Sequence, residues 1–120
     1  RSWYYVKKGW TGAGSTAWVK ADAFAHHLTA SGMASLLKRG AYHQVAKPTS
    51  DEPLGLVAKL EAGDLIAYEE KGRVVHFGVI TDRDSKGVPL VNSHTADRYQ
   101  APWDLGWDQK TVFWLFHVRD

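Results

Sequence analysis

The stretch from Arg73 to His94 constrains the fold most, because it reads as two strands joined by a polar turn. Arg73 to Thr81 (RVVHFGVIT) is rich in β-branched and aromatic residues, Asp82 to Gly87 (DRDSKG) carries turn formers, and Val88 to His94 (VPLVNSH) returns antiparallel. With the turn centred on Ser85, His76 stands opposite His94 and Gly78 opposite Asn92, so both histidines share one face. Directly opposed side chains have Cβ atoms about 4.5–5.5 Å apart, near enough for an imidazole pair to hydrogen-bond or to hold a ligand. The expectation depends on register, since a slip of one residue sends one ring to the other face.

Upstream the period changes to that of a helix. From Ala17 to about Ser31, Trp18, Ala21, Phe24, Ala25 and Leu28 recur at helical spacing, with Ser15 or Thr16 as candidate N-cap and Gly32 just past the end. Trp3 to Val6 is a short aromatic strand candidate, and Gly12 to Gly14 a turn. Met33 to Arg39 is expected to add a short turn of helix stopped by Gly40, and Pro48 to Pro53 an exposed loop. Leu54 to Leu60 fits no single element. Asp64 to Tyr68 reads as a strand, Asp97 to Trp107 as irregular, and Thr111 to Val118 as a closing strand. The order predicts an α+β fold over residues 1–120 as one domain, its N-terminal helix packed on an antiparallel sheet.

A chain of 120 residues is long enough to bury about two-thirds of its unfolded surface. Apolar residues make up 44% and charged residues 23% with no long apolar run, so no membrane span is expected. The net charge of +2 comes from scattered Lys and Arg, which argues against nucleic acid as partner. There is no cysteine, which removes disulfides, thiolate metal sites and a thiol nucleophile from within these residues. Because the sequence starts at Arg1 without an initiator Met, a processed or trimmed product is expected. The six tryptophans are expected mainly in the core.

An imidazole is the usual general base near neutral pH, and a polar group on its other nitrogen fixes tautomer and direction. His76 and His94 are the candidates for that pair. Asp64 after Gly63 is expected to be structural, tying down the start of its strand. Ser15 sits at a helix N-terminus like a nucleophile, but capping accounts for it. His26 and His27 point about 100° apart on the helix and make no metal pair. His43 and His117 carry no motif. Trp103 and Trp107 offer flat faces suited to peptides or sugars, with core packing of a long loop as the alternative. A metal-bound water held by His76, His94 and Asp97 is a further alternative, although their spacing matches no familiar ligand motif; no cofactor or metal is expected.

The ordered set Gly63-Asp64-Leu65-Ile66-Ala67-Tyr68, His76-Phe77-Gly78-Val79-Ile80 and Asn92-Ser93-His94-Thr95-Ala96-Asp97 resembles the putative amidase domain family. The likeness continues upstream through Trp3-Tyr4-Tyr5, Trp18-Val19-Lys20-Ala21, Phe24, Leu28 and Ser31-Gly32. That family is similar to papain-like peptidases and amidases of bacterial cell walls. The resemblance implies a papain-like α+β fold in which a cysteine opens an early helix, a strand histidine activates it, and a polar residue orients the histidine. By motif, His76 matches the base and His94 the orienting position or a neighbour of it, with Asn92 and Asp97 as less favoured candidates. Trp103 and Trp107 then follow the third catalytic position, where a loop can border the cleft. The family's cysteine would precede Arg1, so a cysteine-bearing segment or second chain is the implied partner, with a peptide or cell-wall substrate and a secreted or cell-wall location. Without that partner, the expectation becomes a noncatalytic module binding a peptide, a glycan or a protein.

Overall fold

The computed structural model describes residues 15–93, 98–105, 107 and 110–119. The strand candidate Trp3–Val6, the Gly12–Gly14 turn, His94 and Asp97 lie outside them.

Helix α1 (Ser15–Ser31) forms where the periodicity predicts it. Ala21, Ala25 and Leu28 are buried along one stripe with Phe24 packed beside them. Gly32 follows with φ +75°, the left-handed conformation that ends a helix and suits glycine. The chain then turns directly into strand β1 (Ala34–Ala41), where a helical turn was expected. The reason is tertiary. β1 pairs along its length with the closing strand, from Ala34 opposite Val118 to Ala41 opposite Val112, and a bulge at Leu36/Lys38 absorbs one residue. The ladder's hydrogen bonds outweigh local helix preference.

A short helix α2 (Tyr42–Val45) and a 3₁₀ turn (Leu56–Lys59) precede five more strands. These are β2 (Leu65–Glu70), β3 (Arg73–Arg83), β4 (Pro89–Ser93), β5 (Arg98–Pro102) and β6 (Val112–Val118). The six strands form one sheet in the order β1-β6-β2-β3-β4-β5, and every neighbouring pair is antiparallel. The fold is thus α+β as expected. β5 falls in a segment expected to be irregular. It tolerates Pro102 because, among the described residues, it is an edge strand, and it accommodates Gln100 at φ +47° next to a bulge between Val91 and Ser93.

Side chains alternate between two buried faces. Leu65, Ala67, Phe77, Val79, Trp114 and Phe116 pack under α1, with Phe24 edge-on to Phe77 at 5.6 Å. Asp22 fixes the helix to the sheet by accepting the Val74 backbone N–H at 3.0 Å. Ile66, Tyr68, Ile80, Val91, Phe113 and Leu115 face the other way and are covered by Val45, Val57, Leu60 and Trp103. Asp64 is structural, as expected. Its buried carboxylate accepts the N–H groups of Glu61 at 2.8 Å and Val118 at 3.0 Å and stands 3.1 Å from His117 Nδ1, tying β2 to the end of β6. Glu69 links three strands in the same way. It accepts from Arg39 of β1 at 2.8 Å and from the Trp114 indole of β6 at 2.7 Å.

The segment covering the second face depends on Gly55. Its φ is +89°, and a Cβ there would lie 2.4 Å from the Ala46 backbone and 2.6 Å from the Val45 carbonyl oxygen. Gly72 has φ +80° but open space around it. Gly72→Ala should therefore cost only the left-handed penalty of about 1–2 kcal/mol. Gly55→Ala should cost distinctly more, and urea unfolding of the two variants side by side measures the difference.

Candidate active site

His76 projects from β3 onto the face away from α1, opposite Tyr68 of β2. Pairing across β2 and β3 puts Ile66 beside Gly78 and Tyr68 beside His76. The glycine has a steric reason. A Cβ at Gly78 would sit 3.1 Å from Val91 Cβ and 3.3 Å from the Tyr68 hydroxyl, so a side chain there would push against both neighbours. That hydroxyl donates to the Trp103 carbonyl at 2.7 Å, which anchors the loop after β5 over the sheet.

Tyr68 is the centre of an aromatic cluster. Trp107 stacks on its ring at 4.4 Å and 11°, Phe113 meets it edge-on at 5.6 Å, and the His76 imidazole lies 5.6 Å away, tilted by 44°. Trp107 also reaches the imidazole, at 5.6 Å. His76 is only 5% exposed, so its polar nitrogens require partners inside the protein. One is clear: the Ser93 hydroxyl, also 5% exposed, is hydrogen-bonded to His76 Nε2.

The register that creates this pair differs by one residue from expectation. Arg83 lies opposite Pro89, so the turn is centred on Lys86. The Asp84 carboxylate closes it by accepting the N–H groups of Lys86 at 2.8 Å and Val88 at 2.9 Å. A bulge between Ile80 and Asp82 then brings Val79 opposite Asn92. Asn92 was expected opposite Gly78, on the face of His76; it shares the face of Val79 instead, and its side-chain oxygen accepts the Gln100 N–H at 2.7 Å. Its role as an orienting group is corrected on that ground. His94 and Asp97, the other two candidates, lie outside the described residues.

Of the two tryptophans proposed to meet substrate, only Trp107 keeps a position for it, half-buried beside His76. Trp103 belongs to the core. It is 4% exposed, stacked under Tyr42 at 5.5 Å and edge-on to Phe113 at 5.1 Å, so its ring cannot serve as an open groove floor. Among the described residues no three His, Cys, Asp or Glu side chains converge on one point. Sequence reasoning missed Ser93 and Tyr68. The signal for Ser93 lay in the same three-residue motif as His94, and only the register could choose between them.

A family model described as a putative amidase domain matches residues 1–117. Among curated proteins and solved structures, none matches the chain.

Tyr68→Phe removes a buried hydroxyl whose bond holds the Trp103 carbonyl, and should lower stability by about 1–3 kcal/mol in denaturant unfolding. Tyr42 gives a second test. Burial, followed by the charge of Asp104 and a hydrogen bond with it, raises the phenol above its ordinary value of 10.0. The folded state thus favours the neutral phenol, so the stabilisation is fully present below about pH 10 and is lost as pH rises through the folded value. In an ultraviolet titration Tyr42→Phe should remove a late-titrating tyrosine, and Asp104→Asn should bring it earlier.

Proposed function

The chain belongs to the putative amidase domain family, and from that premise we propose that it is the histidine-bearing part of a papain-like cysteine amidase or peptidase acting on peptides or cell-wall material. The observation that carries the reading is His76. It is a strand histidine held by a buried hydroxyl at Nε2 and flanked by Tyr68 and Trp107, the setting a general base needs. Trp107, on the loop after β5, would border the cleft and offer an aromatic face to substrate.

The 120 residues contain no cysteine, so the thiol is proposed to come from polypeptide outside them, contiguous or bound. In the proposed reaction His76 takes the thiol proton as the sulfur adds to the amide carbonyl carbon. It then gives that proton to the leaving nitrogen as the C–N bond breaks. A water molecule, deprotonated by the same imidazole, next attacks the thioester and releases the acid and the thiol. Secretion or attachment to the cell wall fits such a substrate and belongs to the same proposal.

A second reading is favoured by the same lack of cysteine: a noncatalytic module that binds a peptide, glycan or protein. The two separate in one experiment on the native gene product, purified with whatever is bound to it and characterised by intact mass and N-terminal sequencing. The amidase reading expects a cysteine-bearing polypeptide and amide hydrolysis that an alkylating agent abolishes. It also expects His76→Ala to lower kcat/KM by about 10²- to 10⁴-fold. A native assembly without any thiol, or hydrolysis that survives His76→Ala, would overturn it, and binding without turnover would mark the module.

A further inference from the structure

The geometry points to Ser93 as the positioning residue of His76, an inference that rests on the proposed base role and deepens it. Three observations converge. The Ser93 hydroxyl is hydrogen-bonded to His76 Nε2. Both side chains are buried, at 5% exposure each, where an unmade polar contact is most expensive. The β3–β4 register, with Val79 opposite Asn92, turns Ser93 toward the face of His76 and Asn92 away from it. Ser93 immediately precedes His94, which the family resemblance implied as the orienting position or a neighbour of it, with Asn92 and Asp97 as less favoured candidates.

A hydroxyl can accept as well as donate, and which it does here decides the chemistry. In the arrangement inferred, Nε2–H donates to Ser93 Oγ. The neutral ring is then held as the Nε2–H tautomer, and the lone pair that takes a proton from a nucleophile sits on Nδ1. Ser93 does not touch the reacting atoms; it acts by fixing which nitrogen is the base and which way the ring turns. The aromatic neighbours restrict the ring as well, Tyr68 and Trp107 each lying with its centroid 5.6 Å from that of the imidazole. Those ring contacts distinguish neither tautomer, whereas the Ser93 hydroxyl engages Nε2 directly.

The opposite arrangement, with Ser93 O–H donating to Nε2, is a distinct chemistry. His76 would then carry its hydrogen on Nδ1 and would stand as a base toward Ser93 itself, making the serine a candidate nucleophile. The tautomer separates the two.

The test is long-range proton–nitrogen correlation NMR of the full chain, labelled with nitrogen-15 at histidine and recorded near pH 9, above the ordinary histidine range. The wild type is expected to show His76 as the Nε2–H tautomer in about tenfold or greater excess, and Ser93→Ala to reduce that excess at least about threefold. Ser93→Thr, which keeps the hydroxyl on a residue suited to a strand, should restore the wild-type ratio. A wild-type Nδ1–H tautomer, or a ratio unmoved by Ser93→Ala in a variant with native aromatic dispersion, overturns the inference. If Ser93→Ala does not fold, the wild-type and Ser93→Thr spectra still decide it. The ring is read directly, so a failure here leaves the base role of His76 standing, whereas hydrolysis that survives His76→Ala removes the base role whatever the tautomer.

Discussion

Everything at the candidate site depends on how β3 is registered against β4. Side chains alternate along a strand, so a shift of one residue exchanges every group that faces His76 for its neighbour. The Asp84 turn and the bulge after Ile80 set that shift together. The turn moves the pairing one way and the bulge returns part of it, and the result places Val91 and Ser93 on the face of Ile80 and His76. The bulge also strengthens local twist, which suits a strand whose two faces pack against different layers. Without the bulge the turn alone would leave a different residue beside the imidazole.

The strand content around the site was legible from composition. β2, β3 and β6 are runs of β-branched and aromatic residues, and each appears within a residue or two of its expected span. The face of α1 was also legible, because Ala21, Phe24, Ala25 and Leu28 carry a helical period that can be satisfied only by an apolar partner. Two strands were not legible for the same reason as each other. Among the described residues β1 and β5 are both edge strands, paired on one side only, and their sequences carry little alternation of their own. Their structure comes from the neighbour that supplies the ladder, β6 for β1 and β4 for β5, and no local window contains that information.

The site was half legible. His76 stood out because an ionisable side chain within an apolar strand is unusual and sits in a recognisable motif. Its partner did not, because the choice among Asn92, Ser93 and His94 is made by register, and the bulge that sets it has no sequence marker beyond Thr81 and Asp82. Asp64 was read correctly as structural from its place after Gly63, but its contact with His117, 53 residues away in sequence, could come only from the sheet. Trp103 and Trp107 illustrate the limit of composition. They lie in one Pro- and Gly-rich segment, yet one is locked beneath Tyr42 and the other stacks on Tyr68 beside the imidazole.

The alternation that makes register decisive also divides the strand's work. Phe77 and Val79 meet α1, while His76, Gly78 and Ile80 meet the opposite layer, so adjacent residues on β3 answer to different neighbours. Helix packing can therefore hold the strand rigidly without any contact with the imidazole. Asp22 does so from the helix side by accepting the Val74 N–H, two residues before His76. On the other side, rigidity comes from Tyr68, whose hydroxyl is tied to the Trp103 backbone and whose ring carries Trp107. A base is effective only if its nitrogen is already aimed when the substrate arrives, since aiming it afterwards would cost conformational entropy at the moment of reaction. In the proposed base role His76 would meet that requirement from both faces of its strand: helix packing holds the backbone, the aromatic cluster flanks the ring, and a hydroxyl on the neighbouring strand engages one of its nitrogens.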